Sequence, residues 1–223
     1  MSSPEPMESV TSLTYTPKMT NALIDIQAVL KKLAKTRPMF HSERDLQFAF
    51  AWTVAQMYPS LKVRLEVGQP NGERLDLLVA DKASENKLAI EFKHLTSAWN
   101  GQLGGETYIH GKPLAYNLGR RGIIRDLERV ESFKKSGAST SGAVITISNL
   151  PAYWNPAKRY SGSINYQVHQ GAILKGKLIW HPNNLNSGWR HIKLNNKYQA
   201  TWNPYSDPAG GPGPFKSLVF ETP

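Results

Sequence analysis

The chain contains no cysteine, which removes disulfides, thiol nucleophiles and cysteine-zinc sites together and is compatible with a reducing compartment. It has no apolar run near the roughly 20 residues that cross a bilayer, and it does not begin with the basic-then-apolar pattern of an export signal. A cytoplasmic protein without a membrane partner is the expectation. Phosphate-binding glycine loops, a dinucleotide glycine fingerprint and a His-Glu-x-x-His helix are also lacking. The small-residue run Ser136-Gly137-Ala138-Ser139-Thr140-Ser141-Gly142 does not fit G-x-S-x-G and reads as a loop. Acidic residues thin out toward the C-terminus: residues 151–223 hold 8 basic residues and only Asp207 and Glu221, against 19 basic and 15 acidic residues before them.

At 223 residues and 40% hydrophobic, the chain can bury a full core, which predicts one domain over 19–223 behind a loose tail at 1–18. A net charge of +10 favours polyanionic partners. In the last third, Tyr153, Trp154, Tyr160, Tyr166, Trp180, Trp189, Tyr198, Trp202 and Tyr205 interleave with lysines and arginines. Exposed rings of that kind stack on unpaired bases, whereas buried ones are ordinary sheet core. Arg120, Arg121, Lys158 and Arg159 are the expected nucleic-acid contacts.

Apolar periodicity predicts helices from Asn21 to Lys35, from Ser42 to before Pro59, and from Ile123 to Lys135. Strands are expected near 61–67, 73–80, 87–94 and 142–148, and shorter ones near 177–181, 190–194, 197–202 and 215–220. Trp99 to Gly122 reads as a long glycine-rich loop or flap, and Pro204 to Pro214 as a hinge-like connection. Asp126 and Arg129 stand three apart, a spacing at which they pair on a helix surface.

The residues with the most chemistry lie in two neighbouring strands. Asp76 sits in Arg74-Leu75-Asp76-Leu77-Leu78-Val79, and Leu88-Ala89-Ile90-Glu91-Phe92-Lys93 follows after the polar turn Asp81–Asn86. A hairpin centred on Ala83 and Ser84 sets Asp76 opposite Glu91, with Cβ atoms roughly 5 Å apart. Alternation puts Glu91 and Lys93 on one face and Ile90 and Phe92 on the other. Two carboxylates that close suit a shared Mg2+ or Mn2+ ion, and a lysine beside them can hold a water or a reacting phosphate. The plain alternative is a solvated hairpin face. Apolar residues on both faces of both strands argue for a covered sheet, in which charges need partners. A third acid, Glu43, follows Ser42 at the start of a helix with a capping-box pattern, on the same stripe as Gln47, Phe50, Val54 and Met57, so it points toward the sheet. His94 adjoins the lysine, but alternation turns it away, toward packing.

Glu43 on a helix, Asp76, and Glu91-Phe92-Lys93 together resemble the PD-(D/E)XK nuclease superfamily. The likeness to a bacterial branch of it extends through His41-Ser42-Glu43 with Ala51-Trp52, Arg74-Leu75-Asp76-Leu77, Ile90-Glu91-Phe92-Lys93, Asp126-Leu127-Glu128-Arg129-Val130-Glu131, and Ser148-Asn149 before Tyr153-Trp154. It covers about residue 40 to beyond 205. Leu75 stands where the superfamily commonly has proline, a substitution that leaves the metal site unaffected. The resemblance implies an α/β fold, with a restriction-endonuclease-like mixed β-sheet core flanked by helices over about 40–150 and a β-rich basic C-terminal elaboration over 151–223. It implies a Mg2+-dependent (or Mn2+-dependent) endonuclease that hydrolyses phosphodiester bonds, in DNA before RNA, for restriction, repair or defence. Asp76, Glu91, Lys93 and Glu43 would be catalytic, with Asp76, Glu91, Glu43 and the Phe92 carbonyl as metal ligands. A homodimer or a partner subunit would suit double-strand cutting. The competing reading is a non-cleaving nucleic-acid-binding or partner-binding module on the same fold.

Overall fold

In the computed structural model the described residues are 23–156, 165–179 and 191–222. The expected tail at 1–18 and Lys158, Arg159, Tyr160, Trp180 and Trp189 lie outside them. Helices α1 (Ile26–Thr36) and α2 (Glu43–Met57) form where apolar residues recur at helical spacing. Each starts at a capping side chain: Asp25 accepts from Ala28 N at 2.9 Å, and Ser42 Oγ from Asp45 N at 3.2 Å. Asp45 reaches back past the cap to accept from His41 N at 2.9 Å, not from Ser42 N, and the Arg37 guanidinium holds it at 2.6 and 2.7 Å.

Strands β1 (Leu61–Gly68), β2 (Arg74–Asp81) and β3 (Lys87–Leu95) make an antiparallel meander. The short hairpin β4 (Trp99–Leu103) and β5 (Glu106–His110) follows, then α3 (Tyr116–Lys135). The chain next lays β6 (Ser141–Ser148) parallel to β3. After α4 (Pro151–Trp154) come β7 (Ile173–Leu178), β8 (Ile192–Gln199), β9 (Trp202–Ser206) and β10 (Phe215–Glu221). One six-stranded sheet runs β1-β2-β3-β6-β10-β9, mixed because only β3 and β6 are parallel. The fold is therefore mixed α/β. One apolar layer, built on Leu30, Leu46, Phe50, Ile90 and Phe92, lies under α1 and α2; a second, built on Ile123, Leu127, Val130 and Val144, lies under α3, with β7 and β8 outside it. No described helix is long and apolar enough to cross a membrane.

Several expectations need correcting. Trp99 to Gly122 is not a loop: it holds β4, β5 and the first two turns of α3. Its glycines obscured both elements, because Gly104 and Gly105 make the hairpin turn at φ of 59° and 86° while Gly119 sits inside the helix. A Cβ on Gly119 would fall 2.0 Å from the Tyr153 hydroxyl, so Gly119→Ala is expected to destabilise the fold by about 1–3 kcal/mol in urea unfolding. The strands expected at 190–194 and 197–202 are largely one strand, β8, whose Asn195-Asn196 break is held extended by Glu131 (below). Pro204 lies within edge strand β9, where its missing N–H costs no ladder bond. Within the β-rich C-terminal part, β9 and β10 add two strands to the main sheet. One expectation holds: Tyr153, Trp154, Tyr166, Tyr198, Trp202 and Tyr205 are all buried, so these rings are ordinary core, the reading favoured for each ring over base stacking.

Candidate active site

Asp76 occupies a break on both sides of β2. The β1–β2 ladder pairs Leu65 with Leu77 and Val67 with Leu75 but skips Glu66 and Asp76, and the β2–β3 ladder ends at Leu77 and Ile90. Glu66 has φ of 53°, a left-handed conformation that costs a glutamate roughly 1–2 kcal/mol. Strand β2 turns over here: Leu75 packs in the α3 layer while Leu77, two residues on, packs in the opposite one. Carrying the β2–β3 register one step further puts Asp76 opposite Glu91, the hairpin alignment expected from the sequence.

Where β2 leaves β3, two β3 amides lose strand partners and two carboxylates take them. Asp76 Oδ2 accepts from Phe92 N at 2.9 Å, and Glu43 Oε2 from His94 N at 3.1 Å. The Phe92 carbonyl accepts from Lys93 Nζ at 2.8 Å. The same ammonium donates to Glu43 Oε1 at 3.4 Å and forms an ion pair with Asp126 Oδ2 at 2.8 Å, a contact set by charge and not by hydrogen-bond geometry. Glu91 is wholly buried; Oε2 receives Arg129 Nη1 at 2.6 Å, and Oε1 has no hydrogen-bond partner. Arg129 also reaches Asp126 at 3.4 Å, the Arg74 carbonyl, and Glu73 at 3.9 Å, with its guanidinium 5.7 Å from the centre of the Phe133 ring.

Four elements therefore converge: Glu43 from α2, Asp76 from β2, Glu91 and Lys93 from β3, and Asp126 and Arg129 from α3. Four carboxylates face two cations, an excess of two negative charges when all are ionised. Burial, with Asp76 and Asp126 nearby, pushes the Glu91 carboxyl up to about 9 against the opposing pull of Arg129. Burial likewise raises Asp76 and Glu43. Burial disfavours the Lys93 ammonium, but Asp126 and Glu43 outweigh it and hold the group above the ordinary lysine value. Among the described residues, no group of three or more acidic or histidine side chains stands in metal-holding geometry. Instead, Lys93 bridges Glu43 and Asp126 while Arg129 bridges Glu91, Asp126 and Glu73.

Sequence reasoning brought Glu43, Asp76, Glu91 and Lys93 to this place and missed Asp126 and Arg129. The pair is indeed three apart and in contact, but Asp126 is buried and turned to the sheet. Gly122, Asp126, Arg129 and Phe133 form one stripe of α3, which begins at Tyr116, ahead of the Ile123 that apolar periodicity predicts. Arg120 also needs correcting: it is 8% exposed and donates to the Ala152 carbonyl at 2.7 Å, so it fastens α4 and is not offered to a phosphate. Arg121 is half-buried near Tyr166. His94 packs its ring edge-on against Phe40 and His110 at 5.9 and 5.7 Å, and burial holds its pKa down at about 3, a packing role as expected.

A cleft of about 260 Å3 opens beside Glu43, lined by His41, His94, His110, Lys112 and Tyr153 among others. The β4–β5 hairpin forms one wall and is pinned to the start of α2. His110 Nε2 lies 2.8 Å from the Phe40 carbonyl, and the Tyr108 ring stacks on His41 at 4.2 Å. No family model, no curated protein and no solved structure matches this chain.

Proposed function

We propose that this protein is a divalent-metal-dependent nuclease of the PD-(D/E)XK kind, on a restriction-endonuclease-like core, cutting phosphodiester bonds in DNA before RNA. The observation that carries the reading is the meeting of Lys93 Nζ with the Phe92 carbonyl, Glu43 and Asp126 beside the Asp76–Glu91 pair. The donor set suits Mg2+ or Mn2+: hard carboxylate oxygens, a strand carbonyl turned into the same gap, and the partnerless Glu91 Oε1. Asp76, Glu91, the Phe92 carbonyl and Glu43 would hold the ion, which supplies Lewis-acid stabilisation of phosphate charge. Lys93 donates hydrogen bonds to the attacking water or to a phosphate oxygen. The basic surface supplies backbone attraction without base specificity. Cutting both strands of a duplex would use two copies or a partner subunit.

The test is incubation of circular, linear and single-stranded DNA, and of RNA, with Mg2+ or Mn2+ against an EDTA control. Metal-dependent nicking is expected. A non-cleaving binding module remains the second reading, favoured by the internal pairing of the acids with Lys93 and Arg129. Retardation of DNA with no cleavage under any metal would select it.

Glu91 gives a pH signature. Its folded pKa lies above its unfolded one, so between about 4.5 and about 9 the folded state carries a proton that the unfolded chain has lost. Metal-free stability therefore falls across that window as pH rises. A bound divalent cation displaces the proton, so the Tm increment from millimolar Mn2+ is expected to be larger at about pH 8.5 than at about pH 6 in thermal melts. An increment independent of pH would contradict Glu91 as a ligand.

A further inference from the structure

We infer that Asp126 and Arg129, one face of a single turn of α3, are positioning residues of this site: Asp126 aims the Lys93 ammonium, and Arg129 fixes the Glu91 carboxylate. The inference rests on the nuclease reading and names residues that the strand motif does not contain.

The contacts divide the work. Lys93 carries a long flexible stem whose head would otherwise sample several rotamers. Asp126 is 4% exposed and lies 2.8 Å from that head, the shorter of its two carboxylate contacts. Glu43 is partly exposed and lies 3.4 Å away, so the rigid anchor comes from α3. Arg129 reads three parts of the fold at once. It binds Glu91 on β3 and the Arg74 carbonyl on β2, and it is braced by Asp126 and the Phe133 ring on its own helix. With Oε2 of Glu91 held by the guanidinium, the partnerless Oε1 is the oxygen left for other use. Two strands that separate at Asp76 are thus tied back together through one helix, with the reactive groups held at the gap.

A double-mutant cycle with Lys93 tests this on the substrate that the wild type cuts. Asp126→Asn is expected to lower kcat about 10- to 100-fold while KM for DNA changes less than about 3-fold. In a Lys93→Ala background the same change should matter less than about 2-fold, because Asp126 acts through Lys93. Arg129→Met should lower kcat similarly, with Arg129→Lys recovering part of it. Melting curves verify folding, and Asp126→Ser replaces Asp126→Asn in the cycle if the latter does not fold. Full additivity of the two losses, or an unchanged kcat in Asp126→Asn, overturns the inference while leaving the nuclease reading intact. A wild type that cuts no nucleic acid overturns both.

Discussion

Lys93→Ala is expected to lower kcat by roughly 10²–10³-fold, the scale found when one preorganised donor is removed from a developing charge. The argument is geometric. In the folded protein the ammonium is the only described cation in contact with Glu43, and it lies 2.8 Å from the strand carbonyl expected to face the metal. Truncation leaves Asp126 and Glu43 without that charge, and under the proposed function it removes the group that would orient water or phosphate. Binding of DNA, driven by other basic residues, should change little, so the loss appears in kcat and not in a gel-shift midpoint. Lys93→Arg is not a conservative rescue, because a planar guanidinium cannot contact the Phe92 carbonyl, Asp126 and Glu43 at once as the tetrahedral ammonium does. Nicking that continues unchanged in Lys93→Ala would sink the assignment.

Glu131→Ala should produce the largest loss of stability, about 3–5 kcal/mol, the scale expected when several part-buried donors lose one charged acceptor together. Glu131 is 5% exposed and accepts five hydrogen bonds. Its Oε1 takes Asn196 N at 2.9 Å, Asn196 Nδ2 at 3.0 Å and the Tyr198 hydroxyl at 2.8 Å; Oε2 takes Asn195 N at 2.7 Å and Asn195 Nδ2 at 3.0 Å. One carboxylate thus clamps the middle of β8 to α3, and Glu128 adds a bond from Lys193 N at 3.1 Å. Removing it takes the acceptor from the backbone amides of Asn195 and Asn196 and from three side-chain donors at once. For a chain of this size the loss corresponds to a Tm drop of roughly 6–20 °C by calorimetry. A drop of only one or two degrees would mean that β7 and β8 are held by apolar packing alone. Because α3 also carries Asp126 and Arg129, the same variant should weaken activity in proportion to its loss of folded protein.

The hairpin of Asp76, Glu91 and Lys93 was legible in the chain because strand alternation and a short turn are local rules: counting from Ala83–Ser84 gives the register that the ladder shows. The cap at Ser42 and the inward direction of Glu43 were legible for the same reason. The start of α3 was not, since Gly119 and Gly122 weaken any helical signal, and the benefit of a glycine at 119 lies in the distant Tyr153 hydroxyl. Arg120 looked like a phosphate contact by charge alone; its partner, the Ala152 carbonyl, is 32 residues away.

By itself the amino-acid order determined which residues carry charge in otherwise apolar strands, and which face of β3 holds Glu91 and Lys93, because backbone periodicity acts over two to four residues. Only the tertiary structure decided that α3 lays Asp126 and Arg129 against them, and that β2 comes away from both neighbours at Asp76. Those outcomes depend on packing between segments dozens of residues apart, where the burial of each charge is settled by which partner the fold delivers to it.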